Sequence, residues 1–216
     1  MNNRNTLIIA SLLILASIVI SLAVWNKLPE PMASHWDIND QVNGYMPRFW
    51  GAFLTPLITI GLMLLFLVIP SIDPLKANIA KFRPAFNGFI VFLVAFMLVV
   101  HILTLAWNLG FQGFRMSMMM LPFMGILFIY AGYLMRTSKR NFFIGIRTPW
   151  TLSSDRVWEQ THKVGSVAFM ICGVLAFAGA FLGGMAAFWV LLVPLFATSL
   201  GLIIYSYVLY RAEMGE

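Results

Sequence analysis

Six stretches of this 216-residue chain are long enough to cross a bilayer core and contain no Asp, Glu, Lys or Arg: Thr6 to Trp25, Phe49 to Ile69, Ala85 to Trp107, Met116 to Met135, Val164 to Phe181 and Ala187 to Tyr207. At ~1.5 Å of rise per residue, about 20 apolar residues in a helix span the hydrocarbon. Lipid offers no hydrogen bonds, so each stretch must pair its backbone internally, which for separate apolar segments means a helix. Hydrophobic residues make up 61% of the chain and charged residues 10%, a balance that excludes an ordinary soluble domain. The expected fold is an all-α integral membrane protein with six transmembrane helices, forming one membrane domain over residues 1–216. The first stretch exceeds the usual ~7 to 15 residues of a signal-peptide core, and "AVWNKLPEP" has no small-x-small cleavage pattern, so it is expected to be retained as a helix.

The net charge of +6 matters here through its distribution among the connections. With the N-terminus inside, eleven Lys and Arg fall on cytoplasmic segments and three (Lys27, Arg48, Arg115) fall outside. This places both termini in the cytoplasm, residues 26–48 outside and residues 136–163 inside. The same arrangement assigns the basic residues to topology and to anionic lipid headgroups, with no direct nucleic-acid partner. The lone cysteine, Cys172, lies in the fifth span, and His35, His101 and His162 are divided between the two faces, so neither a metal site nor a cofactor is expected.

The fifth and sixth spans are joined by little more than "LGGM", which predicts an antiparallel helical hairpin. Along the fifth span Ala168, Cys172, Ala176, Ala180 and Gly184 recur every four residues. Such a stripe lets another backbone approach, either within the molecule or from a second copy in a homodimer. The cluster "RMSMMMLPFM" supplies soft side chains that fill irregular gaps at a helix entry. In the third span His101, Thr104 and Asn108 form a polar stripe, which serves to join helices or to mark a functional site.

Two connections are long enough to do more than join helices. The outer one, "NKLPEPMASHWDINDQVNGYMPR", predicts a small hairpin-like cap of two short extended pieces, with Asn43-Gly44 as its strongest turn signal. His35 and Trp36 within it either anchor the loop at the interface or meet a ligand; Gly44, Tyr45 and His101 complete the candidate outer binding set. In the inner one, "NFFIGIRTPWTLSSDRVWEQTH", Phe142, Phe143, Ile144 and Ile146 can dip into the membrane surface while Asn141 and Arg147 stay wet. Thr148 before Pro149 must be extended, the chain turns at "TPW", and a helix starting near Ser153 to Asp155 runs into the fifth span. Trp158, His162, Gly165 and Phe169 share one face of it, and Glu159 and Lys163 form an i,i+4 pair on another.

The pattern N-x-x-x-G-x-R-T-P-W-T at Asn141 to Thr151, followed by Trp158, resembles the C-terminal signature of the SdpI-like immunity proteins, multi-pass membrane proteins of bacteria. The outer "LPEPMASHWDINDQVNGY" is similar to the small domain of unknown function that often precedes that signature, with a Pro-x-x-x-His-Trp core and a late Gly-Tyr. Asn39-Asp40 departs from it where relatives often carry glycine. The resemblance implies a six-helix layout and protection of the cell from a secreted peptide toxin, the sporulation-delaying protein in the family's named member. It also implies a signalling role in which the toxin-bound protein sequesters a cytoplasmic repressor. The partner-binding set it implies on the inner loop is Asn141, Gly145, Arg147, Thr148, Pro149, Trp150, Thr151, Trp158 and His162, none of them catalytic.

Two other functions fit a chain of this kind. A transporter or exporter would ordinarily carry an ionisable coupling group inside the membrane, and the six stretches contain no carboxylate, lysine or arginine. A membrane enzyme would use Arg147 to bind a phosphate and His162 as a general base.

Overall fold

The computed structural model describes residues 2–215. Eight helices and one two-stranded hairpin make up the fold: α1 (Asn3–Val24), β1 (Met32–Trp36), β2 (Val42–Met46), α2 (Arg48–Ile72), α3 (Lys76–Lys81), α4 (Arg83–Asn108), α5 (Met116–Thr137), α6 (Pro149–Ser153), α7 (Asp155–Leu182) and α8 (Gly184–Met214). A single 3-10 turn, Trp25–Lys27, extends α1. Six of the helices, all but α3 and α6, are long and apolar enough to cross a membrane. They overrun the uncharged stretches at most ends, because helical hydrogen bonding continues past the first polar residue while the apolar run stops there. The protein is a multi-pass membrane protein whose spans are all helical.

The bundle divides into two groups of three, with α1 and α2 packed on α4, and α7 packed between α5 and α8. The seam between the groups is α4 against α5. Gly125 of α5 and Gly173 of α7 face each other so closely that a Cβ on Gly125 would lie 2.7 Å from the Gly173 carbonyl oxygen. Cys172, Ala176 and Ala180 of the small-residue stripe are buried within the molecule. Gly183 joins α7 to α8 and leaves the two antiparallel, as the short connection requires.

The core on the far side from the hairpin gathers Ala10, Met63, Ile69, Ile79, Phe82, Phe86 and Ile90 from α1 to α4, with Phe143 and Ile144 packed against it. Those two residues therefore insert into protein where a membrane-surface position was expected. Beneath the hairpin a second cluster joins Leu28, Met32, Ala52 and Leu105. Two short helices lay outside the sequence reading. The first, α3, is only six residues long, and α6 occupies the expected Thr-Pro-Trp turn. Pro149 starts α6 with its angle preset for a helix, after an extended Thr148 (φ −102°, ψ 162°).

Candidate functional site

On the face away from the hairpin, residues 138–162 fold into a knot of internal hydrogen bonds. Asn141 is fully buried: its Oδ1 accepts from the amides of Phe143 (2.9 Å) and Ile144 (2.6 Å), and its Nδ2 donates to the carbonyls of Lys139 and Ile144 (both 2.9 Å). All four hydrogen-bonding positions of the amide are thus filled from its own loop. The expectation that Asn141 stays wet is overturned, since a side chain that closes a turn on itself needs no water. Buried Asp73, at the end of α2, accepts from the Phe142 amide at 2.9 Å, and Asn78 of α3 donates to the Arg140 carbonyl at 2.9 Å. These bonds tie the loop to the first three-helix group.

The second half of the loop is tied to the other group. Thr148 and Thr151 cap α6 reciprocally, Thr151 Oγ1 donates to the Ile146 carbonyl (2.8 Å), and Thr148 Oγ1 lies 3.0 Å from Ser206 Oγ of α8. Trp150 packs on Tyr207 with ring centroids 5.0 Å apart. Trp158, 1% exposed, donates its indole N–H to the Ser138 carbonyl at 3.3 Å and stacks on His162 with centroids 3.9 Å apart. Ile146 donates its amide to His162 Nε2 at 2.9 Å, so that nitrogen is the acceptor; Nδ1 then carries the hydrogen and donates to the Trp158 carbonyl at 2.8 Å. Both imidazole nitrogens serve the fold in this arrangement.

Gly145 makes this packing sterically feasible. Its φ of +109° is rarely adopted by a residue with a side chain, and a Cβ there would run into His162 Nε2. Of the nine motif residues, Asn141, Thr148, Thr151, Trp158 and His162 are buried, while Gly145, Arg147 and Pro149 are exposed and Trp150 is half-buried. Arg147 donates to the Phe142 carbonyl at 2.8 Å. Glu159 pairs with Lys139 at 2.6 Å, in place of the expected Lys163, because the loop folds back over the start of α7.

The hairpin end is organised by carboxylates that the sequence reading did not single out. Asp40 is buried; its Oδ1 accepts from the Ser117 amide and its Oδ2 from the Ser117 hydroxyl, each at 2.7 Å, so it caps the first turn of α5 from outside the helix. Its φ of +61° is the left-handed turn conformation, which aspartate adopts more readily than most residues with a side chain. Asp37 accepts from the amides of Asn39 and Gln41 and so builds the turn. Glu30 accepts from the Arg48 amide at the start of α2.

The turn of the hairpin is therefore at residues 37–41, and Asn43-Gly44, expected to turn, lies inside β2. Gly44 stands opposite His35, and a Cβ there would fall 2.9 Å from His35 Cβ. Cross-strand crowding accounts for the glycine. His35 Nδ1 meets Asn43 Oδ1 at 2.5 Å and is exposed, as is Tyr45.

The polar stripe of α4 divides into separate contacts. Asn108 accepts from the Ala33 amide (2.7 Å) and donates to its carbonyl (2.9 Å), gripping β1 as a neighbouring strand would. Buried His101 turns to α1, with Nε2 2.8 Å from Ser21 Oγ, which in turn donates to the Ala52 carbonyl at 2.6 Å. Of the outer candidates, His35 and Trp36 reach a common space; Gly44 lies behind His35, and His101 is inside the first helix group.

That space is a cleft under the hairpin in two lobes. A lobe of about 330 Å³ is bounded by Trp36, Asp40, Thr104, Met116 and Met120; one of about 360 Å³ is bounded by Trp36, Ile38, Met120, Met124, Phe188 and Leu191. Trp36 and Met120 stand between them, and Trp36 is held edge-on to Trp107 at 5.7 Å. The indole Nε1 of Trp36 is buried with no hydrogen-bond partner among the described residues. The cleft offers apolar, adaptable walls and one unused donor, an arrangement suited to an apolar ligand that brings a carbonyl.

A hairpin-roofed cleft at one end of six bilayer-length helices and a self-bonded polar loop at the other define the class, a multi-pass membrane protein with an inter-helix cleft. Residues 137–206 match the SdpI/YfhL protein family, and residues 12–60 match a domain of unknown function, DUF1648. The chain is 24% identical over 204 residues to Immunity protein SdpI of Bacillus subtilis (strain 168), a span covering 94% of each protein. Its likeness to the SdpI/YfhL family model thus lies in residues 137–206, and its likeness to Immunity protein SdpI runs along nearly the whole chain. No solved structure matches it.

Proposed function

We propose that this is a non-enzymatic immunity protein of the bacterial cell membrane, which protects its cell by binding a secreted, apolar peptide toxin in the cleft under the hairpin. The observation that carries the reading is the likeness to Immunity protein SdpI along 94% of both chains, which includes both the hairpin and the polar loop. The cleft supports it: methionines and Trp36 accommodate apolar side chains, and the spare indole donor can take a backbone carbonyl from an unfolded or helical peptide. The charge asymmetry of the connections supports the orientation, with the hairpin outside, both termini cytoplasmic, and residues 1–216 acting as one membrane domain.

Signalling would use the cytoplasmic face. Because the buried members of the inner motif are consumed by the loop's own hydrogen bonds, a repressor would dock on exposed Arg156, Gln160 and Lys163, with the motif holding that surface in place. Peptide binding would bias how the two helix groups meet along α4 and α5.

The test is expression in a strain sensitive to a co-encoded secreted peptide. Wild type is expected to restore growth, and Trp36→Ala and Met120→Trp to lose protection at unchanged membrane abundance. Equal sensitivity with and without the protein sinks the reading. Proton-gradient-driven peptide uptake into vesicles would replace it with transport.

A further inference from the structure

A cleft of about 400 Å³ lies between α7 and α8 on the face away from the hairpin. Phe169, Leu202 and Ile203 provide its apolar walls, and Ile146, Arg147 and Trp150 form its rim. Ile203 and its neighbours Leu200 and Ile204 are 45%, 61% and 63% exposed, so the cleft opens on the side of the helices that meets lipid. At the rim the Trp150–Tyr207 pair has the amphipathic character of residues at the headgroup level. Arg147 is exposed and has no ion-pair partner among the described residues; one of its terminal nitrogens is used on the Phe142 carbonyl. Arg211 donates to Tyr207 Oη at 3.1 Å, which brings a second guanidinium beside the same rim.

An apolar groove open to the bilayer, with a guanidinium lacking a carboxylate partner at its headgroup end, has the complementarity of a phospholipid with an anionic headgroup. We propose that this cleft binds one such lipid, its phosphate on Arg147 and one acyl chain laid along Phe169, Leu202 and Ile203. Arginine suits the role because its planar fork takes two phosphate oxygens at once. A bound lipid would also brace α6, since Thr148, Pro149 and Trp150 border the cleft.

Native mass spectrometry of the full chain released from nanodiscs of mixed phosphatidylglycerol and phosphatidylcholine tests this. Wild type is expected to retain one phosphatidylglycerol preferentially. Arg147→Gln is expected to lower its retention about fivefold, the scale of one basic contact to an anionic surface. Ile203→Trp enlarges a half-exposed wall of the groove while leaving Arg147 in place, and is expected to lower retention of both lipids. Added inorganic phosphate is expected not to displace the lipid; displacement would assign the site to a free anion. Retention unchanged in Ile203→Trp, equal retention of the two lipids by wild type, or a dimer that carries no lipid would each overturn the proposal.

Discussion

Gly145, His162 and Asn141 show how a membrane protein handles polar chemistry at its edge. His162 accepts the Ile146 amide and donates to the Trp158 carbonyl, so its replacement strands a backbone donor in a buried place. His162→Ala is expected to cost roughly 1–3 kcal/mol, the usual range for such a loss. Gly145→Ala must combine a disfavoured φ of +109° with a collision on the imidazole. It is expected to lower the thermal midpoint in detergent more than an alanine at exposed Gly201, where a Cβ meets nothing within 4 Å. Equal midpoints would mean that the loop relaxes around the added methyl.

At the level of elements, the hairpin is held by caps and borrowed pairing. Asp40 serves the first turn of α5, Glu30 serves α2, and Asn108 of α4 supplies β1 with the hydrogen bonds of a missing strand. Asp40→Ala removes both bonds to Ser117 and is expected to cost about 0.5–2 kcal/mol, the range for a helix cap. The expected signature is faster amide exchange at residues 116–119 and in β2, with α7 unchanged. Asn108→Leu should speed exchange at Ala33 and leave α5 protected, which separates the two anchors. Exchange spreading through the whole bundle in either variant would show that the hairpin is not an independently held element.

At the level of the whole molecule, two three-helix groups meet along α4 and α5, with the hairpin across one end of the seam and the 138–162 loop across the other. Both ends are therefore tied to both groups, the geometry needed for a ligand at one end to be felt at the other. The orientation has a direct check. A cysteine at Asn39 is expected to react with a membrane-impermeant maleimide on intact cells, and one at Gln160 only after permeabilisation. Cys172 is 2% exposed and should contribute no background. The reverse pattern would place the polar loop outside.

Six helices were legible from the sequence because lipid imposes one solution on a long uncharged segment. The start of α7 was legible as well, since Ser154 caps it by short-range bonding, accepting from the Val157 amide three residues on. Local chemistry failed where the deciding partner lies far along the chain. Asn43-Gly44 reads as a turn, yet the glycine answers to His35 across the strand pair. Asn141 reads as wet, yet its own loop folds around it. Glu159 reads as a partner of Lys163, yet the loop brings Lys139 to within 2.6 Å. The sequence by itself determined the solvent in which the chain folds and the number of times it crosses. Only the tertiary structure decided that Asp40 caps α5 and that the inner motif spends most of its polar groups on itself, because buried hydrogen bonds are settled by whichever groups the packed helices bring within 3 Å.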